Sequence, residues 1–573
     1  MNEGGAATLP RRILIIGMDA ATLDLVQPWV EQGLLPNMGH FFTEGAVGPM
    51  RSVPNQCSAA AWSSMVTGLN PGKHGLYWFT MDKVGSYEQI YINASYRAGK
   101  TLWRLLSDAG KSVGVINVPI SYPAEQVNGF VIAGIDAPGT LAPGFTYPPD
   151  LYAHLRQAVG EYTIEPGIPS LFKMGSIDEA VEKLHTTIAQ RYAYTRHLME
   201  TRPWDFLMVV FRSTDPAQHF FWKYMRPQGF RVSPGDIERY GGVILDIYRQ
   251  LDSIIGELME LAGEGTTTFL VSDHGATAAD GRNGIMPYWL EHLGLMRRGG
   301  PVGSVGRLRR SFGAALGFAY RQLDRRTTRD FKLKLAARFP HLRQRMEAQI
   351  WYSRVDWLHT RAYCDGIRPD IWINLRARQP QGIVEPGAEY EALRDEIVRT
   401  LGEPRDPETG EPFVRAVYRR EEVYSGPYVE RSPDLVVEWN RNSNINNLRL
   451  GTQRVADLRR QIERRDLALA LISGAHDQDG LLAVRGPGII PAVRIEGASL
   501  LDVVPTVLYL LGQPIPGEMD GQVLRDAIVP DLLRRFPVHV LTEREETSQL
   551  RGDYTDEEAR IVGERLRGLG YVD

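Results

Sequence analysis

Four ligand-type residues stand just past three short apolar runs in this 573-residue chain. Asp19 follows the run at 13–16, Asp215 follows 206–211, and Asp273-His274 follows 267–271. Carboxylates and imidazoles bind divalent cations or carry protons. Asp215 and His219, at i and i+4, share one face of a helix and can hold one ion. The plainer reading makes Asp215 an N-cap ahead of Pro216. Asp273-His274-Gly275 sets two candidate ligands beside a glycine suited to a tight turn, and a simple turn is the alternative. Asp19 taken alone caps a helix near Ala20. His476, within 473–480, is by itself an ordinary loop histidine.

A hydroxyl joins these groups. Residues 57–68 read as a helix opening near Ser58 and closing at Gly68, ahead of a Pro71-Gly72 turn. A serine at a helix N-terminus sits in positive potential beside free backbone N–H groups, which suits an anionic substrate. In isolation the segment is better explained by an ordinary N-cap serine.

The elements that must position these residues follow from the apolar runs at 13–16, 113–116, 130–133, 206–211, 267–271 and 481–484. Helical stretches such as 240–262 lie between them. Continuous short apolar runs alternating with helices predict an α/β three-layer sandwich with a mostly parallel central sheet. Ligands collect at the carboxyl ends of the strands in such sheets, where Asp19, Asp215 and Asp273-His274 would converge.

Composition bounds the function. The chain is 43% hydrophobic and 23% charged, with a net charge of -4, a balance that gives no general attraction for a nucleic-acid polymer. Two cysteines, Cys57 and Cys364, exclude a disulfide framework and a cysteine-based zinc cluster. No run approaches ~18 apolar residues and no signal-type core precedes residue 13, so a cytoplasmic protein is the simplest expectation. Residues 296–347 are rich in Arg and Lys and read as a helical basic cap spanning 296–360. The core would occupy 9–295 and 361–535, and a helical tail 536–573. The basic face could draw in an anionic substrate or make weak contact with an anionic membrane surface, although a solvated face is the plainer reading. In the tail, Thr555 and Glu558 form a capping-box pattern.

Taken together, Asp19, Ser58 with Thr67-Gly68, Pro71 and His74-Gly75, Asp215 with His219, Asp273-His274-Gly275 and His476 resemble the type I phosphodiesterase and nucleotide pyrophosphatase group of the alkaline phosphatase superfamily. Asn117-Val118-Pro119, Asn283, Trp289-Leu290, residues 485–488, residues 502–506 and Asp520-Gly521 agree, so the resemblance covers nearly the whole chain. It implies an alkaline phosphatase-like fold and two divalent metal ions, zinc first and manganese second. Asp19, Asp273, His274 and the Ser58 oxygen would hold one ion; Asp215, His219 and His476 would hold the other. It further implies hydrolysis of a small phosphoester or nucleotide-like substrate through a covalent adduct on Ser58. Two dications and three carboxylates leave one net positive charge, which attracts phosphate. His74 would be structural. Asn117 and Lys100 are weak candidates for substrate contact, and both are better read as structural.

One departure bears on substrate choice. The group's pattern at the nucleophile is Thr-x-Pro-x-Trp, whereas this chain has Ser58, Ala60 and Trp62. Serine supports the same displacement, but the preference for diesters over monoesters is left open. A phosphomonoesterase or phosphomutase on the same fold is the alternative. A sulfatase would need Cys-x-Pro-x-Arg from Cys57, and Ala59-Ala60-Ala61 does not supply it. A binding protein with a decayed site is the reading from a different class.

Overall fold

A run such as Ile13-Leu14-Ile15-Ile16 has no polar face, so as a strand it must be covered on both sides. The computed structural model describes residues 8–83, 85–87, 89–279, 281–282, 284–299, 355–364, 368–465, 471–542, 552–569 and 571–572. Ten strands of the described residues form one sheet. They are β1 (Arg12–Met18), β2 (Gly45–Arg51), β3 (Val113–Ile116), β4 (Gly129–Ile132), β5 (Thr146–Tyr147), β6 (Phe206–Phe211), β7 (Thr266–Val271), β8 (Asp479–Arg485), β9 (Val493–Arg494) and β10 (Ala498–Ser499). The spatial order is β9-β2-β8-β7-β1-β6-β3-β4-β5, with β10 also on β2.

The sheet is mostly parallel. β1 pairs in parallel with β6 and β7, and β3 with β4 and β6. The run at 481–484, expected as a parallel strand, instead runs antiparallel to both β2 and β7. The chain enters it directly from a strand at the carboxyl edge, Gly474–Asp477, so no crossover helix returns it to the opposite edge. β2 escaped the sequence pattern because Gly45, Gly48 and Pro49 interrupt it. Gly48 is required there: a Cβ would lie 2.0 Å from the Ile495 carbonyl oxygen.

The alternation of β1 explains the layers. Leu14, Ile16 and Met18 enter one hydrophobic cluster, while Ile13 and Ile15 enter another on the opposite face. Helix α1 (Ser58–Thr67) covers the second face, where Ala59, Ala60, Ala61 and Trp62 are buried. Helices α2 (Ile177–Thr201), α3 (Thr214–Met225) and α4 (Val243–Ala262) cover the first. Helix α5 (Asp556–Gly568) opens with the Thr555–Glu558 capping box and buries Val562 and Leu566 on the second face.

A third cluster gathers apolar residues from Ile285 to Leu458, including Trp289, Ile373, Leu393 and Leu435. Within 361–535, residues from Ala362 to Leu458 contribute to this cluster, and Gly474–Asp477 pairs with Gly275–Ala278 before β8 joins the main sheet. Residues 300–354 lie outside the described residues, and with them most of the basic 296–347 stretch and its expected membrane contact. No helix of the described residues is long and apolar enough to cross a membrane.

Candidate active site

The carboxyl edge of β1, β6 and β7 receives the ligand-type side chains. Asp19 follows β1, and the next residue, Ala20, adopts a left-handed backbone with φ 61°. That turn aims the Ala20 N–H at Asp273 Oδ1, 3.2 Å away. Asp215 lies in the first turn of α3, with His219 one turn further on. Ser213, not Asp215, occupies the N-cap position, so the carboxylate is not spent on capping. Asp273 and His274 connect β7 to the short strand Gly275–Ala278, which pairs antiparallel with Gly474–Asp477. In this ribbon Ala276 stands opposite His476, and a distant histidine thereby reaches His274.

Glycines make the close approaches possible. A Cβ on Gly474 would lie 2.3 Å from the Gln218 carbonyl oxygen, and one on Gly275 would lie 2.1 Å from that of Asp479. Gly275 thus serves backbone contact with a neighbouring strand rather than a tight turn.

Six ligand-type side chains enclose one space. Ser58 Oγ lies 3.2 Å from His274 Nε2. His274 Nε2 is 3.3 Å from Asp273 Oδ2 and 3.9 Å from Asp19 Oδ1. His219 Nε2 stands 3.0 Å from Asp215 Oδ1 and 3.0 Å from His476 Nε2, which is 3.3 Å from the same carboxylate oxygen. One ligand atom each from Asp19, Asp273 and His274 falls within 4.8 Å of the others, as does one each from Asp215, His274 and His476. His274 sits between the two groups.

The hydrogen bonding of these six is regular. Each imidazole has its Nδ1 on a backbone carbonyl: His219 on Gly474, His274 on Gly275 and His476 on Gln56. An Nδ1–H donated there leaves the Nε2 lone pair facing the cluster. Each carboxylate has one oxygen fixed by the protein. Arg212 Nε donates to Asp19 Oδ2, Tyr571 Oη to Asp215 Oδ2, and the Ala20 N–H to Asp273 Oδ1. The other oxygens, Asp19 Oδ1, Asp215 Oδ1 and Asp273 Oδ2, are buried without a hydrogen-bond partner. Buried anionic oxygens in that state are costly unless a positive charge meets them. Three such oxygens facing three imidazole lone pairs fit divalent cations with N and O ligands.

Electrostatics carry the same strain. Burial raises the Asp19 carboxyl to about 6 against the opposing pull of Arg212. Burial and the neighbouring Asp19 raise Asp273 well above the usual carboxylate range. Asp215 is pulled well below it, because His219 and His476 outweigh its burial. His274 is driven well below the usual imidazole range by burial and by His476, whereas Asp215 lifts His219 despite its burial. Ser58, Asp19, Asp273 and His274 are fully buried, while the His219 and His476 side chains keep 15% and 19% exposure. Solvent therefore reaches the cluster from the His219–His476 side.

The remaining candidates have other surroundings. The Asn117 amide donates to the Val210 carbonyl, and Lys100 pairs with Asp108. His74 is fully buried between Ser64 Oγ and the Leu76 N–H, away from the ligand set. Burial holds the Cys57 thiol up at about 11, and it is the neighbouring Ser58 that meets His274. Two residues that sequence reasoning missed complete the site. Arg212 could have been found, since it follows β6 by the same rule that picked out Asp215. Tyr571 offers no local signal.

A family model described as type I phosphodiesterase / nucleotide pyrophosphatase matches residues 13–459. No curated protein matches the chain. Among solved structures, phosphonoacetate hydrolase from Sinorhizobium meliloti 1021 in complex with phosphonoformate is 14% identical. The match covers 88% of this chain and 96% of that one, with a TM-score of 0.46. Human ectonucleotide pyrophosphatase / phosphodiesterase 5 is 13% identical over 92% of this chain and 99% of that one, also with a TM-score of 0.46.

Proposed function

The chain belongs to the type I phosphodiesterase / nucleotide pyrophosphatase family, a family of phosphoester hydrolases, and on that premise we propose that it cleaves a small phosphodiester or nucleotide-like pyrophosphate with Ser58 as nucleophile. One observation carries the reading: each of three buried carboxylates has one oxygen tied down and the other unpartnered, facing imidazole nitrogens beside a buried hydroxyl. Asp19, Asp273 and His274 would hold one divalent cation next to Ser58, and Asp215, His219 and His476 a second. Bound there, such ions supply Lewis-acid chemistry, favouring the serine alkoxide and offsetting charge on the phosphoryl and leaving oxygens.

The chain's own groups account for the rest. Ser58 starts α1, whose N-terminal backbone N–H groups favour an anionic phosphoryl group. Its oxygen forms a bond to phosphorus as the bond to the departing alcohol or phosphate oxygen breaks, the serine proton passing to solvent or to the leaving group, and water then hydrolyses the phosphoserine. The exposed edges of His219 and His476 lie where the leaving group can depart to solvent.

Turnover of a bis-aryl phosphate by zinc-loaded protein, compared with a mono-aryl phosphate, tests the reading. Diester cleavage is expected to dominate, and Ser58→Ala to leave below about 0.1% of the activity with no phosphoenzyme. Strong preference for the monoester would move the enzyme to the phosphomonoesterase or phosphomutase class. A surviving adduct in Ser58→Ala would remove Ser58 from its role.

A further inference from the structure

We propose that residues 552–569 and 571–572 form a strap whose Tyr571 is a positioning residue for the metal site built on Asp215. The inference rests on the two-cation reading given above and adds to it a part of the chain outside the family match, which ends at residue 459.

The strap is fastened along its length. The Asn93 amide donates to the Gly552 carbonyl, and the Tyr554 hydroxyl to that of Asp136. Helix α5 then lies so close to the body that a Cβ on Gly563 would fall 2.5 Å from the Tyr91 ring. Its Arg565 guanidinium donates to the Ala137 carbonyl. Past the helix, the Tyr571 ring stacks on Phe79 with centroids 4.9 Å apart. These contacts fix where the phenol points.

The phenol points into the site. Arg212 Nη2 donates to Tyr571 Oη at 3.0 Å, and Tyr571 Oη lies 2.9 Å from Asp215 Oδ2. With a guanidinium donating to its oxygen, the phenol has its single proton to give to Asp215. That bond occupies Oδ2 and leaves Oδ1 toward His219 and His476. Arg212 at the same time holds Asp19 through Oδ2. One Arg212–Tyr571 pair thus orients a carboxylate of each cation site. A carboxylate fixed in this way presents its free oxygen to a cation without losing rotational freedom on binding.

The test measures zinc binding itself. In Tyr571→Phe, which keeps the stack on Phe79, chelator competition is expected to show one of the two zinc equivalents weakened about 10–100-fold. The zinc concentration that half-saturates turnover should shift by the same factor. A purely structural phenol would lower thermal stability without moving that concentration. Asp215→Asn is the control. If it retains both equivalents at wild-type affinity, the cation assignment itself fails; if it loses one while Tyr571→Phe loses none, the strap inference alone fails. A second measurement needs no variant. Linkage is reciprocal, so zinc must slow amide exchange across 552–572 of the unaltered chain by a comparable factor. Unchanged exchange there on zinc loading would overturn the proposal.

Discussion

The histidines of this protein divide by what their two nitrogens touch. His219, His274 and His476 each leave Nε2 facing carboxylates, whereas His74 spends Nε2 on Ser64 Oγ and Nδ1 on the Leu76 N–H. Burial accordingly pushes His74 down to about 3, with Arg97 adding to the effect. Its folded-state value lies below the unfolded one near 6.5, so the unfolded chain takes up the proton first as pH falls. The stability it contributes is complete above about 6.5 and is lost as pH drops toward 3, at up to ~1.4 kcal/mol per pH unit. His74→Gln, which keeps one of the two hydrogen bonds, should therefore lose about 2 kcal/mol less than the wild type between pH 7 and pH 5. Denaturant unfolding at the two pH values measures this, and equal losses in both proteins would contradict it. At the proposed cation site, Asp273→Asn removes a charge from a buried oxygen without a hydrogen-bond partner. It should abolish tight binding of one zinc equivalent and cut turnover at least 100-fold, as read by metal analysis and diester hydrolysis.

Among the elements, the ribbon of Gly275–Ala278 and Gly474–Asp477 carries the heaviest positional duty, because it aligns His476 with His274 while touching α3. Gly474 sits where α3 leaves no room, with the Gln218 carbonyl 2.3 Å from a would-be Cβ. Gly474→Ala must push the ribbon off the helix that holds Asp215 and His219. We expect at least a tenfold drop in diester turnover, with Gly402→Ala, which meets nothing within 4 Å, as an unaffected control. Wild-type activity in Gly474→Ala would show that the ribbon tolerates the shift. The sequence revealed Asp19, Asp215 and Asp273 because strand ends in an α/β sheet share one edge, and the apolar runs marked those ends. It hid β2, whose glycines and proline serve contacts with neighbouring backbone instead of a side-chain pattern. It also gave no direction for the run at 481–484, since strand direction depends on the connection that precedes it. Tyr571 was out of reach for a related reason: its role exists only through packing against Phe79 and Asp215, hundreds of positions away.

At the scale of the whole molecule, the cluster concentrates three carboxylate oxygens without hydrogen-bond partners in a buried place, so under the proposed function folding and cation binding are one problem. A cation that binds only the folded chain stabilises it by about 4 kcal/mol per site at a thousandfold excess over its dissociation constant. Exhaustive chelation should therefore lower the melting temperature measurably, and zinc should restore it. Calorimetry giving the same transition before and after chelation would mean that the folded protein holds no such ions.

The ribbon has a further implication. Ala278 and Gly474 face each other in its register, so the chain departs from the catalytic half and returns to it through a single doorway. A change in length among the described residues between the two jambs leaves untouched the register that sets His476 beside His274.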